Sequence, residues 1–299
     1  MNIDSPPVCD YEGSDYQASF WDQGERAYED QVEDIALRRL LPDSGNLMLE
    51  LGAGAGRNTE RYRNFEQVAL LDYSSTQLRQ AQERLGNNGR YLYVAANIYN
   101  LPFAEGVFDA ATMIRTLHHM ASPPAALRQV RRVLQPGATF ILEYANKRNL
   151  KAILRYALRR QSWNPFSLEP VEFAELNFDF HPRAVRAWLE ENNFTIQRQL
   201  TVSHFRLDFL KRKLPLKALV SMDSLAQWTG NWWQLTPSVF VGARVQGDPV
   251  MTARKLVFRC IECGYSPLDE SAEILKCPAC GRGYAVREGI YDFRKPLGG

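Results

Sequence analysis

The chain has 299 residues, 45 % of them apolar and 23 % charged, with a net charge of +2. Those values describe a folded globular protein with one large core and room for a small second unit; they exclude wholesale disorder and a polycation built for nucleic acid. No run approaches the ~18 apolar residues of a membrane span. The polar, acidic start MNIDSPPVCDYEGSDY lacks the pattern of a secretory leader, so the chain is expected in the cytoplasm, where thiols stay reduced.

In chain order, a polar stretch (1–25) precedes YEDQVEDIALRRLL, where Val32, Ile35, Ala36, Leu40 and Leu41 approximate one helical face. Strand-like runs then alternate with helical ones. NLMLEL ends at Gly52 and QVALLD at Asp72; YLYVAA, VFDAATMI and ATFILEY follow. STQLRQAQERL and PPAALRQVRRVL between them have helical periodicity, the latter stopped by Pro136-Gly137. This alternation predicts an α/β fold, a doubly wound and mostly parallel sheet. Residues 146–235 read as a helical, irregular insertion, PSVFVGARV as a late strand, and QGDPVMT (Gln246 to Thr252) as a linker to a last unit, 254–299.

The stretch LELGAGAGRNT places glycines at 52, 54 and 56 directly after the first strand and before a helix. Glycine lets the backbone turn sharply and approach a ligand, and the helix N–H groups behind it can meet an anion. The spacing is G-x-G-x-G, with Arg57 where a dinucleotide fingerprint needs its third glycine. Asp72, ending the second strand, is placed to accept both hydroxyls of a ribose.

LELGAGAGR, LLDYS, NIYNLPFAEGVFDAA, the LHHM segment and RQVRRVLQPGATFILEY, in this order and spacing, resemble class I S-adenosylmethionine-dependent methyltransferases, in particular the type-11 group. The resemblance covers residues 30–145, and HPRAVRAWLEENNFTIQRQ is similar to the later helix and strand of that Rossmann-like fold. It implies S-adenosylmethionine as cofactor: methionine over Gly52, Ala53, Gly54 and Gly56 with Glu50 nearby, ribose on Asp72, adenine between Tyr73 and the Asn97–Ile98 pair, and Arg115 as a further contact. Asparagine stands at 97 where the family commonly has aspartate.

Methyl transfer from a sulfonium needs mainly an aligned acceptor in a site that excludes water, plus a base if the acceptor must lose a proton. His118, Glu143 and Tyr144, at strand ends, are the candidates. His119 is expected to pack beneath its loop. No Asn-Pro-Pro-aromatic motif follows the fourth strand, where IRTLHHM stands, which speaks against the common amino-methylating enzymes.

Arg148, Lys151, Arg155 and Arg159 form a basic stripe opposite Leu150, Ile153, Leu154 and Ala157, more often the solvated face of a surface helix than one that meets an anionic membrane or phosphates. Trp228, Trp232 and Trp233 are expected in a core or lid.

Cys260-x₂-Cys263 and Cys277-x₂-Cys280 can converge as two knuckles on one Zn²⁺. Four ligands leave no open position, so the metal is structural; two disulfides or a rubredoxin-like iron are the rivals. Cys9 reads as a bystander. With CGRGYAVREGIYDF, the tail resembles the small zinc-ribbon activators of methyltransferases, which implies a built-in supporting subunit. The resulting expectation is a cytoplasmic methyltransferase for a small-molecule or lipid-like acceptor. The alternatives are an RNA or translation-protein methyltransferase and a non-catalytic recruitment module.

Overall fold

The computed structural model describes residues 6–10, 12–13, 26–248 and 255–297. Positions 249–252 of the expected linker lie outside the described residues. Helix α1 (Ala27–Leu40) leads into β1 (Gly45–Leu51), β2 (Phe65–Asp72), α2 (Ser75–Leu85), β3 (Tyr91–Ala95), β4 (Phe108–Met113), α3 (Pro123–Val133) and β5 (Leu134–Ala145). Next come α4 (Leu150–Ala157), β6 (Val171–Ala174), β7 (Asn177–Asp179), α5 (Pro182–Glu191), β8 (Phe194–Val202), α6 (Asp208–Lys213), α7 (Leu216–Ala226) and β9 (Ser238–Val245). The tail adds β10 (Asp269–Glu270), β11 (Ile274–Lys276), β12 (Gly283–Arg287) and β13 (Ile290–Leu297).

One eleven-stranded sheet runs β10-β11-β12-β13-β3-β2-β1-β4-β5-β9-β8. Its central part is α/β, Rossmann-like and mostly parallel: β3, β2, β1, β4 and β5 pair in parallel, and β9 and β8 return antiparallel. The central strands are apolar without alternation, as β1 shows with Leu47, Met48, Leu49 and Leu51 all buried, because helices cover both faces. Local chemistry sets the helix ends. The Ser74 hydroxyl accepts from the Gln77 N–H at the start of α2, and Gly86, at φ +79°, ends it. Helix α3 turns Ala126, Leu127, Val130 and Val133 inward and Arg128 outward, while Arg132 donates to the Phe103 and Leu101 carbonyls.

Residues 146–235 are not the helical insertion expected. They include the β6–β7 hairpin and α5, and β8 pairs with β9 to close the sheet edge. Helix α5 and strand β8 stand where the likeness of HPRAVRAWLEENNFTIQRQ to the fold's later helix and strand implies them.

The tail continues the main sheet. Ile290, Tyr291 and Asp292 of β13 stand in parallel register with Tyr93, Val94 and Ala95 of β3. Phe258 forms a bridge with Phe103, their rings stacked at 5.9 Å, and further backbone bonds run from Ala104 N–H to Val257 O (2.9 Å) and from Arg259 N–H to Pro102 O (2.9 Å). Phe258, Tyr284 and Phe293 are buried in the same core cluster as Leu49, Phe103 and Phe140. Among the described residues no helix is long and apolar enough to cross a membrane.

Candidate functional site

The strand order reverses between β1 and β4, and at such a switch point the loops leaving the two strands part to open a crevice. The glycine turn occupies it. Gly52 adopts φ +67°, and a Cβ there would come within 2.2 Å of the Thr116 hydroxyl oxygen, so no larger residue fits. Gly54, at φ +53°, faces open space: an added Cβ would meet only the Gln77 amide oxygen, at 3.7 Å. The turn therefore combines a close approach behind with room in front.

A cavity of about 960 Å³, its open mouth included, lies before this turn. Its lining brings together Gly52, Ala53, Gly54, Asp72, Tyr73, Asn97, Ile98 and Arg115, eight of the ten residues expected to hold the cofactor. The Asp72 carboxylate accepts from Gly54 N–H (2.8 Å) and Ser74 N–H (2.9 Å), which ties the turn to the end of β2. Burial raises its pKa above the ordinary value, against the pull of these donors. Asn97 accepts from Tyr99 N–H (2.9 Å), so its side chain also shapes the backbone beneath it.

The other two expected contacts stand elsewhere. Gly56 turns toward α2, where a Cβ would meet Leu85 at 2.9 Å. Glu50 is buried behind the turn and accepts from the hydroxyls of Thr59 (2.5 Å) and Tyr62 (3.2 Å). Burial lifts its pKa to about 7, more than these bonds and Arg57 and Arg61 lower it. It organises the turn rather than lining the cavity.

An ionic clamp from α1 holds the rim. Buried Glu33 pairs with Arg57 (2.9 Å) and with the Nε of Arg115 (2.9 Å); Arg57 also pairs with Asp30, which Arg61 reaches at 2.6 Å. Burial alone would raise the pKa of Glu33, but Arg115 and Arg57 hold it below the usual carboxylate value. Arg115 sits at φ +54°, a conformation fixed from both ends by that pair and by its own N–H donating to Glu143 (2.9 Å).

Of the base candidates, Glu143 is buried with both oxygens engaged, by Arg115 N–H and by the Ser238 hydroxyl (2.6 Å). Tyr144 is fully buried away from the cavity lining, and its hydroxyl has no partner among the described residues. His119, not His118, lines the cavity, with its Nδ1 at 3.0 Å from Leu176 O of the β6–β7 hairpin. Both side chains belong to one 3-10 turn, Leu117–His119, and their rings lie 4.0 Å apart. Burial, then His119 and Arg115, push the pKa of His118 well below the ordinary value; burial does the same to His119, so both imidazoles are neutral near pH 7.

Cys9, expected as a bystander, belongs to the lining together with Val8, so the early chain borders the cavity. Glu12 follows it, accepting from Ser75 N–H (2.8 Å) and meeting Arg294 of the tail at 3.3 Å. Thr116, Gln77, Tyr99 and Met120 complete the wall and were not singled out from sequence. They arrive from loops and helix starts, where no periodic pattern marks them.

In the tail, the sulfur atoms of Cys260, Cys263, Cys277 and Cys280 all lie within 4.8 Å of one another. Cys260 and Cys280 are 3.6 Å apart and Cys263 and Cys277 3.5 Å. A tetrahedral Zn²⁺ with Zn–S near 2.3 Å needs sulfur separations of about 3.8 Å, so the four thiols fit the ion. Each knuckle turns on a glycine, Gly264 at φ +78° and Gly281 at φ +75°, with Gly264 N–H donating to Cys260 O and Gly281 N–H to Cys277 O.

Residues 49–142, which hold the glycine turn, Asp72 and the cavity's far wall, match the family Methyltransf_11, described as a methyltransferase domain. The chain carries a methyltransferase domain. Among curated relatives, the O-methyltransferase resE of Aspergillus sclerotiorum is 34 % identical over 33 % of this chain and 40 % of its own length. The demethylmenaquinone methyltransferase of Clavibacter sepedonicus is 25 % identical over 56 % of this chain and 69 % of its own. The chain thus spans less than two thirds of the first of these relatives. Among solved structures, a chain of the complex between the Haloferax volcanii Trm112 methyltransferase activator and a methyltransferase superposes with a TM-score of 0.55 at 14 % identity, covering 78 % of this chain and 96 % of that one. This likeness establishes the fold. The tail and the 146–235 stretch lie outside the matched residues 49–142.

Proposed function

We propose that the chain is an S-adenosylmethionine-dependent methyltransferase acting on a small-molecule acceptor with an apolar body. The observation that carries this reading is the convergence of Gly54, Asp72, Tyr73, Asn97 and Ile98 on one cavity at the switch point of the sheet. When bound, the cofactor supplies a methyl group already activated on sulfonium sulfur. The residues bind and orient: the glycine turn admits the backbone-close methionine end, Asp72 accepts from ribose hydroxyls, and Tyr73 and Ile98 flank the adenine. His119 is the cavity's neutral imidazole and takes the part first given to His118, receiving a proton where the acceptor must lose one. Met120 and Ile114 add apolar wall, which suits an acceptor of the kind named for the demethylmenaquinone relative.

We divide the chain into a methyltransferase unit (1–246) and a zinc ribbon (254–299), in which Cys260, Cys263, Cys277 and Cys280 hold one structural Zn²⁺. The ribbon's role is support: its last strand completes the β3 edge. An RNA or translation-protein acceptor is the second reading, favoured by the ribbon's likeness to activator proteins.

Calorimetry tests the core of the proposal. S-Adenosylmethionine should bind, and Asp72→Ala should weaken it by roughly 1.5–3 kcal/mol through lost hydrogen bonds to a charged acceptor. Absence of binding to the parent chain, or a preference for a nicotinamide dinucleotide, sinks it. Transfer of labelled methyl to quinones and phenols, set against transfer to RNA, separates the two acceptor classes.

A further inference from the structure

Among the described residues, sixteen of the eighteen large apolar side chains left exposed lie between Leu150 and Trp233. They are not scattered. Ala145, Ser238 and Val202 stand side by side in register at one end of the sheet. From Ala145 the chain passes into α4, from Val202 toward α6, and into Ser238 from the Trp232-Trp233 pair. All three therefore leave the same end, and α4 is joined to the tryptophan segment by Leu150 N–H donating to Leu235 O (2.8 Å).

On α4, Leu150 and Leu154 are 51 % and 53 % exposed, with Leu158 just past the helix end at 62 %; within the helix only Ala152 is buried. The apolar row opposite the basic stripe is thus exposed as well. Trp232 and Trp233, expected in a core or lid, are 76 % and 56 % exposed. Each leucine is followed by an exposed cation, Lys151, Arg155 and Arg159, about a quarter-turn around the axis. None of the three has a carboxylate partner within 4.0 Å among the described residues. On α6, exposed Phe209 lies under the Lys213 ammonium at 4.5 Å.

We propose that this end of the molecule is a docking surface for an anionic phospholipid bilayer. The leucine row and the indoles enter the boundary between headgroups and acyl chains, and the flanking cations meet lipid phosphates. Charge complementarity selects the occupant: apolar side chains bordered by unpaired Lys and Arg match a surface that is apolar beneath and anionic above. RNA would use the cations and the indoles, since bases stack on aromatic rings, but it leaves the leucine row in water. The surface borders the cavity, because the hairpin that carries exposed Phe173 also provides the Leu176 carbonyl beside His119. A membrane-soluble acceptor would then reach the cavity from the bilayer; that clause rests on the methyltransferase reading, whereas docking does not.

The test is flotation of the full chain with vesicles of equal parts phosphatidylglycerol and phosphatidylcholine, against phosphatidylcholine alone, at low and high salt. Binding should require the anionic lipid, fall with salt, and shift tryptophan emission to the blue. Arg155→Gln with Arg159→Gln should lower affinity at least about tenfold at low salt. Leu150→Glu with Leu154→Glu should abolish binding while leaving the melting temperature and S-adenosylmethionine affinity unchanged. No partition into the anionic vesicles, equal binding by the variants, or capture of an RNA oligonucleotide without vesicle binding would overturn the proposal. If S-adenosylmethionine still binds in that case, the methyltransferase reading stands and only the docking surface is lost.

Discussion

The ribbon and the 146–235 stretch are both attached to the same parallel core, one at each edge, and they treat their apolar residues in opposite ways. In the ribbon, Phe258 and Phe293 are 5 % and 1 % exposed and share a core cluster with the central sheet. Between Leu150 and Trp233, large side chains stand in water by the dozen. The difference follows from what each edge offers. Strand β3 would otherwise end the sheet with an open row of N–H and C=O groups; β13 supplies their partner, and its Tyr291 and Phe293 pack on Phe258, which in turn stacks on Phe103. At the other edge, β8 and β9 already close the sheet and α5 covers part of it, so the added helices find less surface to bury against. One region adds a strand and buried aromatic side chains to the shared core; the other leaves large apolar side chains exposed.

The largest effect that can break this contrast is loss of metal. About forty residues bury too little to fold alone, and Zn²⁺ binding should provide on the order of 10 kcal/mol of the ribbon's folding free energy. Chelation, or Cys277→Ser, should therefore free the tail, uncover Phe103, lower the melting temperature and raise binding of an apolar dye; metal analysis of the parent should find one zinc per chain. An unchanged melting curve after the metal is stripped would refute the supporting role.

Single substitutions sharpen the same contrast. Phe293→Ala should cost about 3–5 kcal/mol, as for other buried aromatic side chains, while Leu154→Ser should stay within about 0.5 kcal/mol of the parent. Denaturant melts of both variants measure this, and similar losses at the two sites would mean that α4 is covered in solution.

A smaller effect belongs to the core the two regions share. Glu50 has its pKa raised by burial to about 7, so the folded state holds its proton more tightly than the unfolded chain does. Its contribution to stability is complete below the ordinary carboxylate pKa and is lost as pH rises to about 7. Glu50→Gln, which keeps the shape without the titration, should gain on the order of 2 kcal/mol relative to the parent at pH 8 and nothing at pH 4. Equal pH slopes in parent and variant would show that Glu50 is not the group responsible.

What could be read from the chain beforehand was local. Gly52, Gly54 and Asp72 announced a ligand turn because a strand end, a left-handed backbone and a carboxylate at a fixed spacing are properties of contiguous residues. The four cysteines did the same, since each knuckle closes within a few residues. Thr116 and Gln77, which pack against the turn, come from loops and helices distant in sequence, and nothing in their own neighbourhood marks them. Which of His118 and His119 lines the cavity was not legible, because what adjacent side chains in a 3-10 turn meet depends on the segments packed around it.

The sequence by itself determined the alternation of strands and helices, the glycine turn with its acidic partner, and a tail able to hold a metal, for each is set by short-range sterics, periodicity and ligand spacing. Only the tertiary structure decided where the surfaces went. An amphipathic helix such as α4 has the same periodicity whether its leucines are covered or bare, and β13 carries no sign of the strand it will join. Burial and pairing are decided by which faces and edges remain open once the rest of the chain has packed.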